Sequence, residues 1–139
     1  MRITLRPSVA SDFLALIDRS PAYRCQCLTA EADGKILGLG GFMFPPGGDV
    51  WCSAFITDEG RKYPVALHRV GLAVMALGRR RGFAKVYATA QPDNPAAERW
   101  LERLGFRPTD VAGEKVFVWE CGTTAMAPAQ SAQSLTPSP

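Results

Sequence analysis

The chain has 139 residues, of which 47% are hydrophobic and 21% charged. This composition is typical of one folded domain and excludes disordered and fibrous proteins. Four cysteines are too few for a disulfide scaffold, and the longest apolar run is about half of what a bilayer crossing needs. A net charge of +3 favours anionic partners only weakly. We therefore expect a soluble, cytoplasmic protein that does not bind membranes.

The first part of the chain predicts four strands and one short helix. The strands share an alternation of apolar and polar residues, and they cover residues 2–6, 24–32, 35–44 and 49–57. Ser8 or Ser11 is expected to cap the helix, which carries Phe13 on its apolar face. Asp33-Gly34 is a strong signal for a hairpin turn between the second and third strands.

The second part of the chain changes to helical periodicity. Pro64 suits the first turn of a long helix that ends at Gly82. Asn94 is expected to cap a further helix, which ends at Gly105. Two more strands are predicted, over residues 83–90 and 115–121.

The predicted order is strand, helix, three antiparallel strands, helix, strand, helix, strand, which indicates an α/β protein of α+β type with a mixed sheet. Residues 1–121 are expected to form one domain. Residues 122–139 contain mostly Ala, Pro, Ser, Gln and Thr without any charge, and we expect a disordered tail there.

The loop between the strand at 49–57 and the long helix is a candidate anion site. Backbone N–H groups at a helix N-terminus lack partners, and the helix dipole places positive charge beside them. Gly60 is expected to make this loop flexible, and Lys62 and His68 would add positive charge. The alternative is an ordinary connection with solvated charges, and the sequence leaves both interpretations open.

The stretch from Asn94 to Phe106 reads Asn-Pro-Ala-Ala-Glu-Arg-Trp-Leu-Glu-Arg-Leu-Gly-Phe. This motif, Gly82 with the strand that follows it, and the element order resemble the GNAT superfamily of acyltransferases. The resemblance covers roughly residues 1–120 and implies the GNAT-like acyl-CoA N-acyltransferase fold, with acetyl-CoA bound beside a splayed central strand.

The resemblance also implies which residues would contact acetyl-CoA. They are Phe55, Ile56, Thr57, Lys62, Leu67, His68 and Asn94. The family loop carries Arg or Gln, two residues, Gly, one residue, and Gly or Ala, and its amides hold the pyrophosphate. Here Lys62 takes the first position, while Val65 and Leu67 replace the two glycines.

Acyl transfer by direct attack of an amine requires a group that accepts the amine proton. Glu59 or Asp58 is the candidate base, although both could be solvated loop carboxylates. Many family members have a tyrosine as general acid where this chain has Leu101, and leucine has no proton to donate. Tyr63 is a candidate substitute, and amphipathic packing is the alternative for its side chain.

The resemblance therefore implies an N-acetyltransferase that moves an acetyl group from acetyl-CoA to a small-molecule or peptide amine. Residues 57–64 and 99–106 also resemble divergent GNAT-like proteins of tailed bacteriophages. The alternative is thus a catalytically inactive GNAT-fold binding or structural protein, in a virion or with other phage proteins in the host cytoplasm.

Metal and nucleic-acid chemistry receive less support from the sequence. Cys25 and Cys27 share a strand face, but only His68, Cys52 and Cys121 remain as partners, so no metal site is predicted. The run Arg79-Arg80-Arg81 is most simply a solvated helix end. Because no row of exposed aromatic residues is evident on the sheet, a nucleic-acid partner is not expected.

Overall fold

A computed structural model describes residues 2–90 and 94–120 of the chain. Its strands are β1 (Thr4–Pro7), β2 (Arg24–Ala32), β3 (Lys35–Phe44), β4 (Trp51–Ile56), β5 (Lys85–Ala88), β6 (Arg107–Val111) and β7 (Glu114–Glu120). Its helices are α1 (Ala10–Ile17), α2 (Pro64–Arg81) and α3 (Pro95–Leu104), with a short 3-10 turn at Gly60–Lys62. The predicted α/β class is confirmed. The predicted tail at 122–139 lies outside the described residues.

The chain divides into two compact units, residues 1–74 and 75–139. In the first unit, β1, β2, β3 and β4 pair in that order, and every pairing is antiparallel. The β2–β3 hairpin turns at Asp33 and Gly34, whose φ angles are 52° and 76°. Both residues occupy the left-handed region that the Asp-Gly pair favours, so this predicted turn is confirmed.

The β2–β3 hairpin carries apolar clusters on both faces. On one face, Phe13 of α1 packs with Cys27 and Leu39. The other face carries a cluster of Ala30, Ala32 and Leu37. Three further side chains pack against it, from Ile3, Tyr63 and Val70 of α2. Leu37 and Leu39 reach opposite faces although they are two residues apart, because the β2–β3 register shifts between Ala30 and Glu31. One hairpin therefore supports α1 on one side and the first half of α2 on the other.

The start of α1 corrects the predicted cap at Ser8 or Ser11. The N-cap residue is Val9, and the N–H of Val9 donates to the Asp12 carboxylate at 2.9 Å. Ser8 instead shares a 2.7 Å hydrogen bond with the hydroxyl of Thr29 on β2. The prediction was wrong because the carboxylate of the buried Asp12 accepts the N–H of the N-cap residue, while the Ser8 hydroxyl bonds to a strand that is distant in the sequence.

Asp12 is the centre of a polar network that joins β1, α1 and β2. Arg6 donates two hydrogen bonds of 2.8 Å to its carboxylate, and the Thr29 hydroxyl donates a third at 2.9 Å. Arg6 also reaches Glu31 at 3.2 Å. Asp12 is only 3% exposed, so each of these donors compensates for a charge removed from water.

In the second unit, β7 pairs antiparallel with β5 on one side and with β6 on the other. The strand expected at 83–90 is limited to Lys85–Ala88, and β6 was not predicted at all. The β6–β7 turn lies at Ala112 and Gly113, with φ angles of 53° and 83°. Alanine is an unusual residue at such a position, and Pro108 argued against a strand, so the sequence signal for this hairpin was weak.

Helix α3 begins and ends where the sequence predicts. The side-chain oxygen of Asn94 accepts the N–H of Ala97 at 3.1 Å, and Pro95 occupies the first turn. Gly105 ends the helix with a φ of 108°. Among residues 2–90 and 94–120, no helix combines the length and apolar character needed to cross a bilayer.

The basic end of α2 is more than a solvated cluster. The Arg79 guanidinium lies over the ring of the buried Trp119 at 5.5 Å, and that of Arg81 lies over Phe83 at 5.6 Å. Such contacts hold cations against aromatic faces, and the cations also complement the negative end of the helix dipole. Two of the three arginines therefore have structural roles.

We expect Asp12→Asn to lower the free energy of unfolding by about 1–3 kcal/mol at pH 7, because the buried donors around Asp12 lose their charged acceptor. Hydrogen bonds from Arg6 lower the pKa of Asp12 well below its ordinary 3.8. The carboxylate therefore stabilises the fold fully above this ordinary pKa, and that contribution is lost as the pH falls through the folded-state pKa.

Urea unfolding of both proteins at pH 7 and pH 3 tests this expectation, with Asp49→Asn at an exposed loop position as control. The difference between wild type and Asp12→Asn should be smaller at pH 3. A difference that stays constant or grows on acidification would contradict the role given to the ionised carboxylate.

Candidate anion-binding site at the start of helix α2

The turn from β4 to α2 is held by Thr57. Its backbone N–H donates to the Leu37 carbonyl oxygen at 3.0 Å, and its hydroxyl donates to the same oxygen at 2.9 Å. The hydroxyl oxygen also accepts the N–H of Gly60 at 3.0 Å. Thr57, a predicted contact of acetyl-CoA, thus uses its side chain to fix the turn to β3.

Gly60 is buried within this turn. A Cβ atom there would overlap the carbonyl oxygen of Leu37 and press on the side chain of Ile56. The expectation that Gly60 makes the loop flexible was therefore wrong. The glycine is needed because the turn passes against the β3 backbone with no room for a side chain.

Most backbone N–H groups of the turn have internal acceptors. The N–H groups of Arg61, Lys62 and Tyr63 bond to carbonyl oxygens of the same turn at 3.0–3.2 Å. The N–H of Leu67 donates to the Tyr63 carbonyl oxygen at 3.0 Å. Leu67, predicted to contact the cofactor, therefore has its amide engaged within the helix.

Two N–H groups in the first turn of α2 remain available. Pro64 begins the helix and has no N–H, and the N–H groups of Val65 and Ala66 have no acceptor in the described part of the chain. They lie at the positive end of an 18-residue helix. Unbonded amides and the dipole act on the same point, which is the arrangement that binds phosphate groups at helix N-termini.

Charged side chains surround this helix start. Lys62 pairs with Glu59 at 3.2 Å, and Arg61 lies 3.9 Å from Asp58. The Asp58 side chain is fully exposed, whereas that of Glu59 is 31% exposed. Because exposed ion pairs contribute about 1 kcal/mol or less, an anionic ligand could replace either pair.

His68 lies in the second turn of α2 and is half-buried. Its Nδ1 atom is shielded from solvent and has no hydrogen-bond partner among the described residues. His68 therefore lies close to the start of α2 with a partly exposed imidazole, and its contact with acetyl-CoA stays a prediction.

The two candidate backbone donors on β4 point in opposite directions. Leu39 lies opposite Phe55 in the β3–β4 register. Two residues further along β4, the N–H of Thr57 donates to the carbonyl oxygen of Leu37. Alternate residues of an antiparallel pair exchange hydrogen bonds, so the N–H of Phe55 faces β3. The N–H of Ile56 therefore points to the other edge of β4, and Ile56 is the better candidate donor.

Tyr63 packs against the cluster of Ala30, Ala32 and Leu37. This contact supports the amphipathic packing role considered above, while a hydroxyl role remains a prediction. Asn94 belongs to the second unit, where its oxygen caps α3. Its predicted contact with the pantetheine arm is likewise still a prediction.

Three potential donors were not named from the sequence. Two of them are the backbone N–H groups of Val65 and Ala66, which do not depend on the type of residue. Pro64 marks the start of the helix, and both positions follow from it. The third is the indole Nε1 of Trp100, which is buried without a partner in the described structure. Periodicity places Trp100 on the apolar face of α3 and does not show where its N–H points.

A scan of family models and a search of curated proteins give no match for the sequence. Solved structures do match. An acetyltransferase of the GNAT family from Staphylococcus aureus superimposes with a TM-score of 0.68 at 11% identity, covering 86% of this chain and 99% of that one. The chain has the GNAT fold.

Two further structures with this fold point to a ligand or a substrate. A Bacillus subtilis acetyltransferase in complex with CoA has a TM-score of 0.63 at 13% identity, covering 86% of this chain and 97% of that one. A mutant spermidine/spermine N-acetyltransferase from Vibrio cholerae has a TM-score of 0.60 at 12% identity, with coverages of 86% and 95%. All three structures are of bacterial proteins.

The donor set at the start of α2 suits an anionic group such as a phosphate. Two unbonded amides, a helix dipole and the exposed Lys62 supply hydrogen bonds and positive charge to one anionic group. The glycines of the family pattern are absent, yet the backbone amides that a pyrophosphate needs are present.

We expect Gly60→Ala to destabilise the protein by about 1–3 kcal/mol, because the added methyl group displaces the Leu37 carbonyl or the turn. Gly113→Ala is the comparison, since a Cβ there meets nothing within 4 Å and only the positive φ opposes it. Chemical unfolding should show the larger loss for Gly60→Ala. An unfolding free energy within about 0.5 kcal/mol of wild type would contradict the proposed close contact.

Proposed function

We propose that the protein is an N-acetyltransferase that uses acetyl-CoA to acetylate a small-molecule amine. The observation that carries the proposal is the pair of unbonded amides at Val65 and Ala66, held by a fixed turn directly after β4. The GNAT fold makes this chemistry the natural one to test, because structures that share the fold include acetyltransferases with CoA bound.

The first turn of α2 would hold the pyrophosphate through Val65 and Ala66, with Lys62 and His68 beside it. Acetyl-CoA supplies the acetyl group as a thioester that an amine can attack. The N–H of Ile56, which points away from β3, is the proposed donor to the thioester carbonyl oxygen. A fixed N–H aimed at oxygen stabilises the negative charge that develops there during attack.

In the proposed reaction the substrate amine forms a bond from nitrogen to the carbonyl carbon, and the bond from that carbon to sulfur breaks. Glu59 accepts the proton that the amine releases, and Tyr63 is the proposed donor to the departing thiolate. Glu59 is preferred to Asp58 because its side chain is partly shielded, whereas that of Asp58 is fully in solvent.

A small-molecule amine is the proposed acceptor. One structure with the same fold is described as a spermidine/spermine N-acetyltransferase, which supports amines of this size as the first compounds to test. Polyamines and aminoglycosides therefore form a suitable initial panel, with a lysine-containing peptide as the peptide arm.

Calorimetric titration with CoA tests the binding part of the proposal. Lys62→Glu should weaken CoA binding by about tenfold, because it places negative charge at the proposed pyrophosphate site. Arg80→Glu is the matched control, since it makes the same charge change at the exposed end of the same helix. Equal effects of the two substitutions would indicate general electrostatics and contradict a site at Lys62.

Binding and turnover separate the proposed enzyme from its alternative. Absence of heat with millimolar CoA and acetyl-CoA would overturn the proposal. CoA binding without acetyl transfer to any amine of the panel would favour the inactive binding protein, for which the absence of a tyrosine at Leu101 is the sequence argument.

We expect Glu59→Gln to lower kcat by about 100-fold at neutral pH while leaving CoA affinity within about twofold. Asp58→Asn is the control and should leave kcat nearly unchanged. The measurement is the rate of CoA release under saturating acetyl-CoA with the best amine of the panel. A larger loss in Asp58→Asn than in Glu59→Gln would assign the base to Asp58.

A further inference from the structure

Three sulfur atoms come from neighbouring positions on one face of the β2–β3 hairpin. Cys25 and Cys27 are two residues apart on β2, so their side chains share a face. Met43 on β3 lies directly opposite Cys25. Gly41 lies directly opposite Cys27 and presents no side chain there. The register therefore places two thiols and one thioether together.

The cluster lies in an apolar environment. Cys27 is 6% exposed and packs with Phe13 and Leu39, and Cys25 and Met43 pack against that same group. Both cysteines are free thiols, and the two thiols are within hydrogen-bonding reach of each other. Burial, followed by the neighbouring Cys25, raises the pKa of Cys27 to about 12.

The chemistry of this donor set selects a soft ion. Thiolate and thioether sulfur bind Cu(I) well, whereas zinc prefers four ligands from Cys, His and carboxylates. No group of three His, Cys, Asp or Glu residues suited to a metal ion occurs in the described part of the chain. The methionine thioether would be the third ligand.

We propose that Cys25, Cys27 and Met43 form a binding site for a cuprous ion. Each thiol that becomes a ligand releases its proton to solvent, and the metal keeps its oxidation state throughout. The apolar surroundings limit access of water and oxygen to the bound ion. Half-buried Cys25 and Met43 give the ion an approach to the deeper Cys27.

This site is separate from the proposed acetyl-CoA site. The sulfur cluster lies on the face of the hairpin that α1 covers. Val70 of α2 packs on the opposite face, against the cluster that contains Leu37. Copper binding therefore does not depend on the acetyltransferase proposal, and either can fail alone.

The test is an anaerobic titration of the reduced full-length protein with Cu(I), in competition with a coloured Cu(I) chelator. We expect uptake of one equivalent, with an affinity that increases with pH because the metal competes with thiol protons. Cys25→Ser should weaken binding by about 100-fold and Met43→Leu by about tenfold. X-ray absorption should show sulfur ligands alone.

Two cysteine variants serve as controls. Cys52 lies opposite Phe42, on the other face of the sheet, so Cys52→Ser should retain Cu(I) affinity. Cys121→Ser removes the remaining thiol and should do the same. Thermal unfolding without copper shows whether each variant is folded, and Met43→Leu provides a conservative test if a cysteine variant is not.

The proposal is overturned if the folded wild type takes up no Cu(I) against the chelator. It is also overturned if Met43→Leu and Cys25→Ser bind as tightly as wild type, or if Cys52→Ser or Cys121→Ser loses affinity as strongly as Cys25→Ser. The last result would place the copper at another thiol or between two molecules.

Discussion

The carbonyl oxygen of Leu37 accepts two hydrogen bonds from Thr57, one from its backbone and one from its hydroxyl. These two hydrogen bonds hold the end of β4 against β3 and determine where the following turn lies. Gly60 can then pass against the same carbonyl because it has no side chain. The first turn of α2 therefore follows at a fixed position. Its unbonded amides are held there as a defined pair of donors.

Local signals explain why some of the fold could be predicted from the sequence. Asp33-Gly34, Asn94-Pro95 and Gly105 each impose a backbone geometry that depends on residues within a few positions. The features that were missed depend on distant partners. Asp12 starts α1 in place of a serine cap because Arg6 on β1 and Thr29 on β2 surround its carboxylate. The β6 strand exists because β7 pairs with it, despite Pro108.

The candidate site likewise combines features that local sequence predicts with features that depend on distant residues. The sequence placed an anion site after β4 because a strand that leads into a helix leaves amides free, and the structure shows such amides at Val65 and Ala66. The role of Gly60 could not be predicted, since it depends on a carbonyl of β3 that lies 23 positions earlier in the chain. The choice between Phe55 and Ile56 likewise needed the pairing register, which composition does not contain.

Each unit has one outer strand that is short and contains a proline. β1 has four residues and includes Pro7, and β6 has five residues and includes Pro108. Proline offers no amide proton, and a short ribbon presents few groups on which another molecule could extend the sheet. These two strands are thus poor templates for the addition of a strand from another molecule, which disfavours fibril growth from either of them.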